Sequence, residues 1–239
     1  MSSPSVVMCS MWRNDLHRSL VDRVEHLLAK AETWPNLRWV WVIGDSTDGT
    51  AEALREMVTG YETVTLVNLG DTGIKGDDMA ARLRRLSVTG NHYFKYAQGA
   101  DYILVHESDI LSPHDLVPRM VRLAERGLCP IAAWPVMEMR PGYRIFYDTF
   151  VYRKDGVQFR HTPPYHQAYQ SDRPFIVDSA GTVLMFHGED IGEVLMDRRA
   201  ILDVCWHLKK LGRDIWVDPS IEVVQPRELW EYHNTRECA

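Results

Sequence analysis

In the first half of the chain, short apolar runs alternate with polar loops and with segments whose apolar residues recur every three or four positions. Ser5 to Ser10 (SVVMCS) predicts a strand that ends in the polar turn Trp12-Arg13-Asn14-Asp15. After it Leu16, Leu20, Val24, Leu27 and Leu28 follow at helical spacing. Leu37 to Gly44 (LRWVWVIG) is rich in β-branched and aromatic residues and predicts a second strand. The loop Asp45-Ser46-Thr47-Asp48-Gly49-Thr50 then leads into the helical Ala51 to Val58. Val64 to Asn68 predicts a third strand, followed by a Gly- and Asp-rich loop from Gly70 to Asp78 and a basic amphipathic segment, Met79 to Tyr96, that contains the next helix. Tyr102 to His106 (YILVH) has the pattern of a buried strand and runs into Glu107-Ser108-Asp109.

The second half has a different texture. Ser112 to Arg126 predicts a helix, Pro130 to Val136 a strand, and Tyr143 to Tyr169 is a stretch rich in aromatics. Phe175 to Phe186 reads as a strand or strand pair, Arg198 to Leu211 as a helix, and Ile215 to Val224 as a final strand pair broken by Pro219. Alternating strands and helices predict an α/β fold with a doubly wound parallel sheet, in which ligands bind at the carboxyl ends of the strands. The polar loops of the first half all fall at those ends.

Composition narrows the picture. The 239 residues, 45% of them hydrophobic, suit a single globular domain with a sizeable core. The net charge of -6 supplies no overall basic field for nucleic acid, so DNA is allowed but not indicated. Cys9, Cys129, Cys205 and Cys238 are too scattered for a zinc or redox motif and are expected as reduced thiols. No basic region precedes a long apolar run, and no apolar stretch reaches the roughly 20 residues of a membrane span, so a cytoplasmic location is expected.

Two loops carry the candidate chemistry. Glu107 and Asp109, spaced i and i+2 at a strand end, point the same way. Paired carboxylates in a cleft repel each other, and the usual compensation is a divalent cation shared with phosphate. The alternative is a solvated strand end at which Asp109 caps the next helix. The short polar side chains of Asp45 to Thr50 suit recognition of a base and ribose, with Asp45 accepting hydrogen bonds; capping by Ser46 or Asp48 is compatible with that role.

The first strand with its polar loop, Gly44-Asp45-Ser46-Thr47-Asp48-Gly49-Thr50 after the second strand, and a strand closing in Glu107-Ser108-Asp109 together resemble GT-A glycosyltransferases. The likeness extends more weakly through Phe146 to Phe150, Arg153, Asp155-Gly156, Asp178 to Thr182 and Asp203 to Pro219 to family 2-like and Anp1/mannan-polymerase-like transferases, covering about residues 5 to 225. It implies a Rossmann-like, mixed but mainly parallel sheet flanked by helices in a single domain. Residues 1–110 would form the nucleotide-sugar-binding half, 111–225 the acceptor and sugar half, and 226–239 a C-terminal tail.

By the same resemblance Asp45 contacts the nucleotide, together with Trp12, Arg13, Ser46 and Glu107, and Arg85 lies against its phosphates. Glu107 and Asp109 occupy the D-x-D position that holds Mn²⁺ or Mg²⁺ and the donor diphosphate. Glutamate in first place departs from the pattern and leaves Asp109 the safer ligand. Asp203 matches the catalytic base of inverting members, although Leu202 precedes it where a glutamate is usual; Asp178 and Asp190 are rival bases. Gln225 stands where a third, histidine ligand is expected, and His233 is the nearest replacement. Among the aromatics, Trp12, Tyr143, Phe146, Tyr147, Phe150, Tyr165 and Tyr169 include candidates for a stacking platform.

The implied activity is a metal-dependent hexosyl or pentosyl transfer from a UDP- or GDP-sugar to an unidentified hydroxyl, on a glycan or on a hydroxymethylated base in phage-type DNA. Two alternatives stay open. A nucleotidyltransferase would start with a Gly-rich loop that Cys9 to Asn14 lacks, and a non-catalytic nucleotide-sugar-binding module would explain the departures from the motifs.

Overall fold

Strand β1 (Val6–Trp12) is apolar on both faces, which requires cover on both sides. In the computed structural model, which describes residues 3–76, 78–140, 142–163, 166, 171–192 and 196–236 without the side chains of 232–236, it has that cover. Val7 and Cys9 pack in one core with residues of α3 (Met79–Ala97) and α5 (Ile201–Lys210). Val6 and Met8 pack in a second core with α1 (Leu20–Leu28), α2 (Thr50–Met57) and α4 (Leu116–Ala124). The alternation of side chains along a strand thus divides the molecule into two apolar layers on either side of one sheet.

The other strands are β2 (Leu37–Ile43), β3 (Val64–Asn68), β4 (Tyr102–His106), β5 (Ile131–Arg140), β6 (Tyr143–Phe146), β9 (Phe175–Val177), β10 (Val183–His187) and β11 (Ile215–Gln225), with β7 (Arg153–Lys154) and β8 (Val157–Gln158) forming a separate small hairpin. The order is β3-β2-β1-β4-β10-β5-β11-β9, with β6 paired to β5. The first four strands are mutually parallel, and β5 and β11 share their direction; β6, β9 and β10 run the other way. The fold is therefore α/β with a mixed, mainly parallel sheet flanked by helices.

Several boundaries differ from the sequence expectation for identifiable reasons. Strand β1 continues through Met11 and Trp12, because both pair in register with β2. Helix α4 starts at Leu116, since the preceding turn at Ser112 and Pro113 receives Lys30 Nζ on its carbonyls at 3.4 and 3.2 Å. Ile215 to Gln225 is one strand and not a pair. A register shift between Asp218 and Glu222 absorbs Pro219, which cannot donate to a ladder. Strands β9 and β10 do not pair with each other, β9 joining β11 and β10 lying between β4 and β5. Residues Arg227–Arg236 form a terminal helix, α6, anchored by Leu229 in the interior.

Candidate active site

The carboxyl ends of β1, β2 and β4 enclose a cavity of about 340 Å³. Arg13 and Asn14 enter from β1, Asp45 from β2, Glu107 and Asp109 from β4, and Arg82 and Arg85 from α3. Tyr147 and, from α6, Trp230 complete the rim. A more open hollow of about 530 Å³ lies at the opposite end of β4, bordered by Asp101, Glu125 and His187, and holds none of the sequence candidates.

The cavity's loops are tied to one another. Asn14 donates its N–H to Ser46 Oγ at 3.1 Å and accepts Thr47 N–H on Oδ1 at 2.8 Å. Asp15 and Leu16 donate their N–H groups to Thr50 Oγ1 and Asp48 Oδ2 at 2.8 and 3.1 Å. Asp48 also accepts Thr50 N–H at 3.1 Å, so it serves the start of α2 as well. Asp45 sits at φ 54°, a left-handed conformation that aspartate tolerates, and accepts Thr72 N–H and Thr72 Oγ1–H at 2.7 and 2.8 Å. Arg85 donates through Nη1 to the carbonyls of Gly76 and Ile74 at 2.6 and 3.4 Å, clamping the Gly-rich loop against α3.

Beneath the Glu107-Ser108-Asp109 segment lies a buried ion pair. Arg23 and Asp15 are each 2% exposed and meet at 3.0 Å. Arg23 also donates to the carbonyl of Ser108 at 3.1 Å, and Ser108 Oγ donates to Asp15 at 3.0 Å. Glu107 N–H donates to the carbonyl of Thr182 at 3.0 Å, and His106 bonds through Nδ1 to the carbonyl of Glu107 at 2.8 Å. The segment between the two carboxylates is thus gripped from α1, from the β1 loop and from the start of β10.

The charges it presents are crowded. Burial pushes the Glu107 carboxyl well above the usual range, the neighbouring Asp109 and Asp148 add to this, and Arg82 opposes it. Burial likewise raises Asp148, against the hydrogen bonds from Thr182 Oγ1 at 2.8 Å and Val151 N–H at 3.2 Å. Tyr147 is raised by burial and then by Asp109, Glu107 and Asp148. Three carboxylates therefore act on one region, but among the described residues no three His, Cys, Asp or Glu side chains converge closely enough to hold a metal ion.

Of the sequence candidates, Trp12, Arg13, Asp45, Arg85, Glu107 and Asp109 border one cavity, and Ser46 lies just outside it, bonded to Asn14. Trp12 is 1% exposed, and its ring packs on Trp41 at 5.3 Å with Arg23 over it at 5.6 Å, so the ring belongs to the core. Asp203, Asp178 and Asp190 are not in the cavity wall. Asp203 accepts the N–H groups of Asp197, Arg198 and Arg199 at 2.9, 3.2 and 3.0 Å, fixing the turn before α5. Asp178 accepts Gly156 N–H at 2.8 Å and faces Lys209 at 3.3 Å, while Asp190 pairs with Arg213 at 2.8 Å.

His233 lies in α6, but its side chain, like Tyr165 and Tyr169, falls outside the described residues. Phe146 is in the core, and Tyr143 and Phe150 are exposed. Sequence reasoning gave Trp230 no role, singled out Arg85 on this helix and not Arg82, and reached Asp148 only as part of the Phe146 to Phe150 segment. The spacing of Arg82, Leu86, Thr89 and Tyr93 along one face of α3 was the available signal for Arg82.

The profile described as "Glycosyl transferase family 2" matches residues 5–187. No curated protein matches the chain. Among solved structures, the chain resembles GalNAc-T7 with UDP, GalNAc and Mn²⁺ at a TM-score of 0.60 and 10% identity, covering 93% of this chain and 43% of that one. It resembles the mannosyltransferase PcManGT from Pyrobaculum calidifontis in complex with GDP-Man and Mn²⁺ at 0.59 and 17%, covering 93% and 57%. For S. aureus TarS in complex with UDP-GlcNAc the values are 0.58 and 12%, covering 93% and 58%. The chain thus spans about half the length of these structures. At such identities the likeness establishes the fold, which is that of GT-A enzymes.

Proposed function

The chain belongs to glycosyl transferase family 2, and from that premise we propose that it transfers a sugar from a UDP- or GDP-sugar to a hydroxyl acceptor. The observation that carries this reading is that one cavity is lined by Asp45 from β2, by Glu107 and Asp109 from β4 on the other side of β1, and by Arg82 and Arg85 from α3. Carboxylate oxygens accept from base and ribose donors, and a planar guanidinium matches phosphate oxygens two at a time.

The donor set suits a divalent cation. Glu107 is buried among carboxylates with Arg82 as the opposing charge, and hard oxygen ligands of this kind take Mn²⁺ or Mg²⁺. Asp109 and Glu107 would hold the ion, with His233 on α6 the proposed third ligand. Such an ion supplies charge neutralisation for a departing diphosphate. In this reading Asp45, held by Thr72, forms the nucleotide end of the site with Arg13 beside it, while the Trp12 ring supports it from the core and Ser46 braces Asn14 from outside the cavity. Arg85 keeps the Gly-rich loop in place beside the phosphates. Asp203 would take the proton of the acceptor hydroxyl on Oδ1, since Oδ2 holds the three N–H groups of the turn before α5, whereas Asp178 would have to give up either Gly156 N–H or the Lys209 contact.

The net charge of -6 favours a neutral glycan hydroxyl over a polyanionic DNA acceptor. Among the described residues no helix is long and apolar enough to cross a membrane. A thermal-shift screen of UDP- and GDP-sugars, each with and without Mn²⁺, tests the donor assignment, because a ligand that binds only the folded state raises its melting temperature. A metal-dependent shift with one nucleotide, lost in Asp109→Ala, is the expected result; no shift with any donor would overturn the reading.

A further inference from the structure

Tyr147 follows β6 and is tied to β5, where its N–H donates to the carbonyl of Pro135 at 3.0 Å. Its side chain lines the cavity, and the ring is partly buried against the core layer of α1, α2 and α4. The hydroxyl at its tip makes no hydrogen bond among the described residues and retains accessible surface at the cavity. Tyr152 shows the opposite outcome: it is fully enclosed, and its hydroxyl donates to the carbonyl of Ala133 at 2.5 Å. Neighbouring charges place the Tyr147 hydroxyl within the cavity. After burial, the groups that raise its ionisation are Asp109, Glu107 and Asp148, and Arg82 opposes them. The packed ring thus holds a phenol beside three carboxylates without a bond to any of them, which leaves its O–H to whatever fills the cavity. A ligand hydroxyl that replaces water there keeps the bond made.

Which part of the entering molecule it meets follows from the sheet order. Asp45 reaches the cavity from β2, Glu107 and Asp109 from β4 on the far side of β1, and Tyr147 from its anchor on β5, which β10 separates from β4. A nucleotide sugar is also a line, running from base and ribose through the diphosphate to the sugar ring. With Asp45 at the nucleotide and the carboxylates at the diphosphate, the next position across the sheet is that of the ring. A neutral hydroxyl brings no charge to a diphosphate, which a guanidinium serves better, but it matches a sugar hydroxyl, which donates and accepts as it does. We propose that the Tyr147 hydroxyl hydrogen-bonds a hydroxyl of the donor's sugar ring, making Tyr147 a specificity-determining residue. This rests on the nucleotide-sugar reading of the site and adds to it the residue that tells a sugar-bearing nucleotide from the bare diphosphate.

Tyr147→Phe removes the hydroxyl and keeps the ring. The ligands are the UDP- or GDP-sugar that raises the wild-type melting temperature most and the matching UDP or GDP, each with Mn²⁺ and each measured by calorimetry. Without ligand, Tyr147→Phe is expected to melt as the wild type does, whereas Tyr152→Phe, which loses a made bond, melts below it. Tyr147→Phe is also expected to bind the diphosphate as wild type does and the nucleotide sugar about tenfold more weakly, the loss of one good hydrogen bond. Unchanged affinity for the nucleotide sugar overturns the proposal while leaving the donor reading in place. Equal weakening for both ligands overturns it too, since the contact would then be to the nucleotide or its phosphates. A wild type that binds no UDP- or GDP-sugar removes the donor reading itself and the Tyr147 assignment with it.

Discussion

The two sides of strand β10 build the cavity in different ways. On the parallel side, β1, β2 and β4 each end in a loop bonded to its neighbour, and the buried Arg23–Asp15 pair fastens the segment that carries Glu107 and Asp109. On the side of β5 and β11, Tyr147 and Trp230 reach the rim, and what holds Glu107 is a strut. Asp148 accepts the hydroxyl of Thr182, a β-branched residue held at φ 59°, and the carbonyl of Thr182 receives Glu107 N–H. Gly181 lets the strut close, because a Cβ there would stand 3.0 Å from Asp148 Oδ2. A network distributes the task of holding a site over many bonds and ties it to global stability. A strut concentrates the task in one strained place that affects geometry more than stability.

The largest effect is expected at the buried Arg23–Asp15 ion pair. Arg23→Met takes from the buried Asp15 its Arg23 partner while leaving it the Ser108 hydroxyl, and should cost about 3 kcal/mol in urea unfolding. A loss under about 1 kcal/mol would mean that the parallel side is not organised around this pair. Asp148→Asn on the strut is expected to change stability by only about 1 kcal/mol, while lowering turnover about tenfold at unchanged fold. A purely structural strut would instead lower stability and leave the turnover of the folded fraction as it was.

A smaller effect comes from pH. Burial lowers His26 to about 4 and His106 to about 3, from 6.5 for each. The unfolded chain binds protons that the folded one refuses, so stability is complete above pH 6.5 and falls as pH drops toward 4. The urea midpoint should follow that course, and His26→Gln should flatten it. Smallest is Asp178→Asn. Burial raises this carboxyl, but Gly156 N–H and Lys209 outweigh it and hold it below its ordinary value of 3.8. Its contribution is present above that value and is lost as pH falls through the lower folded one. The carboxyl is 38% exposed, so the variant should lose less than about 1 kcal/mol at neutral pH and nothing in strong acid.

What the sequence made legible follows the same division. Val64 to Asn68 and Tyr102 to His106 are strands with the expected ends; the second is buried along its whole length and is a continuous apolar run bounded by polar loops, while the first is a partly exposed strand at the sheet edge that its β-branched residues mark. The loops at the strand ends were legible for the same reason, and Asp45, Glu107 and Asp109 meet in one cavity. In the second half, pairing depends on partners far away in the chain, and no local pattern states that β10 inserts between β4 and β5. Pro219 looked like a break because a single-sequence pattern does not reveal a bulge that absorbs it. Asp148 was hidden among aromatics, and its meaning depends on Thr182, which is 34 residues away. Asp203 lies where the resemblance placed a base, yet its carboxylate is engaged by three backbone N–H groups, a fact of local geometry that residue type does not disclose.

The central claim is that Asp109 and its neighbours serve the departure of a nucleoside diphosphate. Its most direct test is release of UDP or GDP from the matching nucleotide sugar, followed with and without Mn²⁺ for the wild type and for Asp109→Ala. The account predicts slow release to water that requires the metal and disappears in Asp109→Ala while the circular dichroism spectrum stays unchanged. Release that is indifferent to both the metal and Asp109 would contradict it.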